Sequence, residues 1–456
     1  MIVMKFGGTS VESADAIRRV AGIVKDRLHR QPIVVVSAMG KTTNNLLAIA
    51  AEAAKGNSEE AMRRLRSLEE FHRREAQEAI GAEERSALQD VLDSHFKALG
   101  ETVRGLSLIG ELTPRSLDAL ASFGERISSE IVALAFRSAG IPSAHLDART
   151  VIVTDDHFTQ AAPILSDTYA KASAAISQTK RSHVTVMGGF IGATQDGVTT
   201  TLGRGGSDFS AALVGAAIGA EEIEIWTDVD GVLTCDPKLV PDAHPVKTIS
   251  FDEAAELAYF GAKVLHPATV APAKEKNIPV RILNSRRPDA PGTRITKDAV
   301  ACSNVLKSLA CKRGVTVVNI RSNRMLMAHG FLRRIFEVFD RHETAVDMVS
   351  TSEVSVSLTV DNDAHLPAIC EELTPFTEVS VEKGQAILCA VGDNIRNTPG
   401  VAARVFNALR NVNVRMISQG ASLLNLGFVI NSQDLPGAAA ALHREFFTDL
   451  DPGVFD

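Results

Sequence analysis

Short, continuous apolar runs separated by amphipathic stretches recur through the first 290 residues and restrict the architecture more than any other feature. Ile2–Phe6, Pro32–Ser37, Ser143–Leu146, His183–Met187, Glu222–Thr227 and Pro279–Leu283 read as strands, and Ala14–His29 as a helix. Runs without polar alternation suit strands covered on both faces. The expected class is therefore α/β, with a parallel-rich sheet sandwiched by helices.

A chain of 456 residues is too long for one ordinary domain. From Ser58 to Gly105, Glu, Arg, Ala and Leu recur at helical spacing, which predicts a long antiparallel helical insertion, about 57–115, with a solvated charged face. Asn284 to Asn304 is rich in Pro, Gly and charge and reads as a linker. Beyond it the chain repeats: Gly330–Phe336 matches Gly400–Phe406, and Val346–Ser350 matches Val414–Ser418. Two small α+β units about 70 residues apart follow from this repeat. The expected domains are 1–296, 304–385 and 386–456.

With 48 basic and 55 acidic side chains the net charge is −7, which argues against nucleic acid or a membrane surface as partner. Anionic substrates then require a local cluster of cations. The five cysteines show no C-x-x-C spacing, so neither a disulfide framework nor a protein-held metal is expected. Met1–Lys5 runs straight into a strand without a signal-peptide core, and no apolar stretch approaches a membrane span. A cytoplasmic location is expected.

Three glycine-rich turns follow predicted strands: Lys5–Ser10, Gly188–Gly192 and Gly203–Asp208. Glycine lets backbone N–H groups approach phosphate oxygens, and a following helix N-terminus adds favourable dipole. Ser37–Thr42 resembles the end of a Walker A loop, but Val35 stands where the first glycine is required, and no G-x-G-x-x-G occurs.

Lys5-Phe-Gly-Gly-Thr-Ser10, Phe123-Gly-Glu-Arg126, Thr201–Asp208, Trp226-Thr-Asp-Val229 and Phe260–Pro267 together resemble the signature set of the aspartate kinases. These belong to the amino-acid-kinase fold, and the repeated tail resembles their paired, ferredoxin-like ACT domains. The resemblance implies phosphorylation of the β-carboxylate of L-aspartate by ATP with Mg2+, the first step toward lysine, threonine and methionine. It implies Lys5 and Asp208 as catalytic groups. Ser37, Ala38, Thr43, Glu125, Arg204, Gly205, Gly206 and Ser207 would line the aspartate site. Lys5, Gly7, Gly8, Thr227, Asp228, Leu233, Lys238, Lys263 and Val264 would meet the nucleotide. Leu233 stands where relatives often carry tyrosine, and Lys238 where arginine is common.

The residue chemistry agrees. Phosphoryl transfer asks mainly for positioning and for neutralisation of spread negative charge, and Lys5 supplies a cation. A carboxylate acceptor is already ionised at neutral pH, so no general base is needed; His266 reads as structural. Arg204 suits bidentate carboxylate recognition. Glu125 and Asp208 suit the substrate ammonium, and Asp208 equally suits orienting Lys5.

In the tail, Met325–Leu332 and Val346–Val354 resemble the effector segment of lysine-sensitive members. By position Met325, Ala328, Phe331, Leu332, Ala345, Val346, Asp347, Ser352 and Glu353 would hold L-lysine between ACT units of two subunits, implying a homodimer or homotetramer. Threonine sensitivity and a catalytically silent amino-acid sensor are the alternatives. The chain ends after the second unit, so no fused dehydrogenase is expected.

Overall fold

The structure is a computed structural model that describes residues 1–179, 183–261, 265, 267–298, 302–322, 325 and 329–456. The chain forms two compact units: unit 1 comprises Met1–Gly231 and Val264–Lys297, unit 2 Val232–Lys263 and Asp298–Asp456.

Unit 1 begins with β1 (Ile2–Phe6), α1 (Ala14–Asp26), β2 (Pro32–Val36), α2 (Thr42–Ala54), α3 (Ser58–Ala79), α4 (Arg85–Ile109), α5 (Pro114–Ala121) and α6 (Phe123–Ser138). It continues through β3 (Ser143–Leu146), β4 (Val153–Thr154), α7 (Leu165–Gln178), β5 (Val184–Gly188), β6 (Ile191–Thr194), β7 (Thr199–Thr201), α8 (Gly206–Ile218) and β8 (Glu222–Thr227). After β9 (Thr248–Ser250) and α9 (Phe251–Tyr259) in unit 2, the chain returns for α10 (Ala271–Glu275), β10 (Val280–Asn284) and β11 (Thr293–Thr296).

The main sheet of unit 1 runs β3-β5-β2-β1-β8-β10-β11, parallel except for β11. Phe6 stands opposite both Val36 and Trp226, and Val36 opposite Gly188. The carboxyl ends of the central strands are therefore level, and the turns that leave them meet at one edge. Ligands of open α/β sheets bind at such an edge. Every residue of β2 and β5 is buried, as their unbroken apolar runs require. The expected first helix ends earlier, at Asp26, with a tighter turn at Leu28–Arg30.

The helical insertion is the pair α3 and α4. Leu65, Leu68 and Ala76 of α3, and Leu92, Phe96 and Leu99 of α4, belong to one apolar core with Leu46, Ile49 and Ala50 of α2. Its charged face is laced by short-range pairs such as Arg63–Glu60 and Arg64–Glu60.

Unit 2 adds β12 (Ser308–Arg321), α11 (Phe331–Arg341), β13 (Val349–Thr351), β14 (Ser355–Val360), α12 (Leu366–Leu373), β15 (Glu378–Val391), α13 (Val401–Ala408), β16 (Val414–Gln419), β17 (Asn425–Asn431) and α14 (Leu435–Phe446). Its sheet runs β13-β14-β12-β15-β17-β16, antiparallel throughout. The repeat glycines Gly330 and Gly400 cap α11 and α13 with φ of 76° and 83°, a left-handed backbone that glycine adopts without strain. Thr316–Arg321 of β12 pairs with β14, whereas Ser308–Arg313 pairs with Ala386–Val391 of β15. One long strand thus serves both repeats.

At the start of α9, Ser250 and Glu253 form a reciprocal capping box. The same Glu253 carboxylate receives Lys307 Nζ at 2.8 Å, with side-chain exposures of 1% for Lys307 and 0% for Glu253. Among the described residues, no helix is long and apolar enough to cross a membrane.

Candidate active site

The level edge of unit 1 opens into a cleft of about 400 Å3. Lys5 at the end of β1, Gly8 in the next turn, and Ser37 and Ala38 after β2 form one side. Glu125 in the first turn of α6 and Arg204–Asp208 at the start of α8 form the other. Thr43 and Asn44, in the first turn of α2, complete the wall. Three helices thus present N-terminal turns to one space. The dipoles of these helix ends favour anions there.

Lys5 Nζ lies 2.7 Å from Asp208 Oδ1, with both side chains mostly buried. A fixed ammonium at the end of a buried strand suits an incoming phosphate, because its field is weakly screened. Glu125 is 3% exposed. The Ala38 N–H donates to its Oε1 at 3.1 Å, while Oε2 has no hydrogen-bond partner among the described residues. Burial pushes this carboxyl up to about 8, against the lowering effect of the backbone bonds. A buried carboxyl with an unused oxygen at a cleft is suited to a cationic ligand group. Ser37 Oγ donates to Ser207 Oγ at 3.0 Å, and Ser128 Oγ donates to the Ser37 carbonyl at 2.8 Å, tying the turn after β2 to α6 and α8.

The glycines of 188–189 answer to packing. A Cβ on Gly189 would stand 2.7 Å from Ser207 Cα, and one on Gly188 would stand 3.0 Å from the Glu125 carbonyl oxygen. Close approach of α6 and α8 to the end of β5 depends on both. Gly205 begins α8 with φ of 74°, a left-handed cap that glycine adopts without strain.

The expected residues distribute as follows. Lys5, Gly8, Ser37, Ala38, Thr43, Glu125, Arg204, Gly205, Gly206, Ser207 and Asp208 line the cleft together. Gly7 does not line it; its N–H donates to the Trp226 carbonyl at 3.0 Å. Thr227 ends β8 and Asp228 follows it; the Thr227 carbonyl accepts from Ser285 N–H at 2.8 Å. Leu233 and Lys238 belong to unit 2. Lys263, Val264 and His266 lie outside the described residues. Gly40, Lys41 and Asn44 line the cleft without having been assigned a ligand, as do Phe190 and Gly203, which lie in the glycine-rich turns picked out from the sequence. The Walker-like segment carried a usable signal for Lys41: a strand, a glycine and a cation before a helix, whatever the motif's name.

Of the effector residues, Ala328 lies outside the described residues and the others all fall in unit 2. Phe331 is buried with its ring edge-to-face on Phe376 at 6.0 Å. Leu332, Ala345, Ser352 and Glu353 are exposed, and Met325 and Val346 are half-buried. Asp347 pairs with Lys312 at 3.0 Å, and its carboxyl is raised by burial and by the neighbouring Asp361. Among the described residues no cluster of His, Cys, Asp and Glu has the arrangement to hold a metal ion.

A family model described as the amino acid kinase family matches residues 1–284, and one described as an ACT domain matches residues 388–446. Aspartokinase 1, chloroplastic, of Arabidopsis thaliana is 40% identical over 467 residues, covering 98% of this chain and 80% of that protein. Lysine-sensitive aspartokinase 3 of Escherichia coli (strain K12) is 35% identical over 457 residues, covering 98% of this chain and 99% of that one. A crystal structure of E. coli aspartokinase III in complex with lysine and aspartate matches with a TM-score of 0.84 at 34% identity, covering 98% and 99% of the two chains.

Proposed function

Because this chain belongs to the aspartokinases, with an amino acid kinase domain and an ACT region, we propose that its cleft transfers the γ-phosphoryl group of MgATP to the β-carboxylate of L-aspartate, under feedback by L-lysine. The observation that carries this reading is the cleft itself, where Lys5, Arg204 and three helix N-termini gather positive potential in a protein of net charge −7.

In this reading Lys5 neutralises charge on the transferring phosphoryl group, and Asp208 holds its ammonium in place. Arg204 takes the α-carboxylate in fork geometry. Glu125 receives the substrate ammonium on its unpartnered oxygen. The acceptor carboxylate attacks already ionised, so the protein supplies position and field rather than a base. We assign catalysis to residues 1–296 and effector binding to the repeats 304–385 and 386–456, in a homodimer or homotetramer. Thr227, Asp228, Leu233, Lys238, Lys263 and Val264 remain assigned to the nucleotide. Lysine as effector is supported by the lysine-sensitive relative and by the lysine complex of aspartokinase III, and Asp347 and Glu353 suit its ammonium groups.

The decisive experiment follows ADP release by purified protein with MgATP and L-aspartate, with and without L-lysine. Aspartate-dependent release that lysine suppresses is expected. Indifference to lysine with suppression by threonine would transfer the effector role to threonine. Absence of aspartate-dependent release from folded protein would leave a silent amino-acid sensor.

A second expectation concerns pH. With its carboxyl at about 8, Glu125 is mostly protonated at neutral pH in the free protein. An ammonium bound beside it favours the ionised form, so aspartate binding releases a proton. The aspartate KM should fall as pH rises, approaching tenfold per unit below about 8 and flattening above it. Glu125→Gln should remove the dependence. A flat wild-type profile between pH about 6 and about 8 would take the ammonium role away from Glu125.

A further inference from the structure

The helical insertion has no part in the chemistry described so far, yet one of its side chains reaches the cleft wall from behind. His72 of α3 has no solvent exposure and is packed by Phe71 and Phe96, with ring centroids at 5.1 and 5.7 Å. Its Nδ1 faces the Leu68 carbonyl at 2.8 Å. A carbonyl only accepts, so Nδ1 carries the proton, and in the neutral ring Nε2 is left as an acceptor. Burial pushes the imidazole down to about 4, which keeps the ring neutral at neutral pH.

Nε2 stands 3.3 Å from Thr42 Oγ1. The same hydroxyl lies 2.6 Å from the Met39 carbonyl. The one hydroxyl proton goes mainly to the nearer Met39 carbonyl and only in smaller part to Nε2. His72 therefore holds Thr42 by the weaker branch of a bifurcated bond, together with the packing of its buried ring. Thr42 is the first residue of α2 and is 1% exposed. Its neighbours Gly40, Lys41, Thr43 and Asn44 all line the cleft, while Thr42 itself turns away from it. α2 has no capping side chain at Lys41, and helix ends without a cap fray readily. The wall built on that first turn thus depends on what holds Thr42.

We propose that His72 is a positioning residue for substrate binding: through Thr42 it holds the first turn of α2, so that Lys41, Thr43 and Asn44 keep their places on the cleft wall. This rests on the aspartate kinase reading, which sets aspartate against that wall. It gives the insertion a task in recognition as well as in packing, since α3 and α4 then brace the binding turn.

The test compares wild type with His72→Leu, Thr42→Val, the double variant and His72→Gln. Leucine roughly fills the imidazole volume without an acceptor, while glutamine restores an acceptor oxygen. His72→Leu, which removes the weaker branch, is expected to raise the aspartate KM about two- to fivefold, and Thr42→Val, which also removes the bond to the Met39 carbonyl, about five- to tenfold. The ATP KM should stay within about twofold, the double variant should be no worse than the stronger single one, and His72→Gln should recover most of the loss. A purely structural role would lower activity and thermal stability without that split between the two substrates. An aspartate KM unmoved in folded His72→Leu, or additive single effects, overturns the proposal. If His72→Leu shows no cooperative unfolding, Thr42→Val decides alone by the same criterion. Wild type without aspartate-dependent ADP release overturns the kinase reading and this inference together; active wild type with unmoved KM values removes only the inference.

Discussion

Lys5→Met is expected to lower the rate of aspartate-dependent ADP release by about 10²- to 10³-fold, with a loss of thermal stability from the mostly buried Asp208 carboxylate left without its partner. Methionine preserves the length and packing of the side chain at the end of β1 but removes the cation. The effect is large because Lys5 sits in a mostly desolvated site, paired at 2.7 Å with Asp208. A preorganised charge there acts with little screening and no reorganisation at the moment of transfer. Loss of one such group typically lowers turnover by about 10²- to 10³-fold. The aspartate KM should change little, since the cation meets the phosphoryl group. Less than a tenfold loss in kcat would remove Lys5 from the chemistry. Asp208→Asn separates the two roles left open for Asp208: a fall in kcat marks the orienting role, a rise in aspartate KM the ammonium contact.

The second large effect is on stability. Lys307→Met should destabilise unit 2 by about 3–5 kcal/mol, read as a drop in its denaturant midpoint. Lys307 Nζ and the Glu253 carboxylate are both excluded from water, at 2.8 Å. Removing the ammonium leaves a buried carboxylate whose remaining hydrogen bond, among the described residues, is that from its capping-box N–H. The penalty arises from that stranded charge rather than from any net strength of the pair. Lys307→Met combined with Glu253→Gln should therefore recover most of the loss, because the glutamine retains a cap acceptor without a charge. A double variant as unstable as the single one would show that the packing around Lys307, not the charge, was responsible.

Much of unit 1 was legible from local pattern. β1, β3 and β8 begin and end at the residues where their apolar runs do. β5 and β10 each lie one residue further along, ending at Gly188 and Asn284, because the backbone ladder continues past the last apolar side chain. Gly330 and Gly400 were visible as repeat markers, and both take the left-handed conformation that makes glycine necessary. The cleft was legible to the extent that its residues lie near strand ends or in the turns that follow them: Lys5, Ser37 and Arg204 each follow a buried run or a glycine. Lys41 was obscured by the rejected Walker pattern although it lines the same space.

The sequence by itself determined the elements, their order, the turns rich in glycine and cation, and the duplicated tail. Periodicity and backbone preference act over a few residues, so they are written locally. Only the tertiary structure decided which distant polar groups share a dry place: Glu125 with the Ala38 N–H, His72 with Thr42, and Glu253 with Lys307. It also decided that Ser308–Arg313 pairs with the second repeat and that Val232–Lys263 belongs to unit 2. The strength and protonation of such groups depend on water being removed from both partners at once. That removal is a property of packed surfaces brought together across dozens of residues, and no local window of sequence contains it.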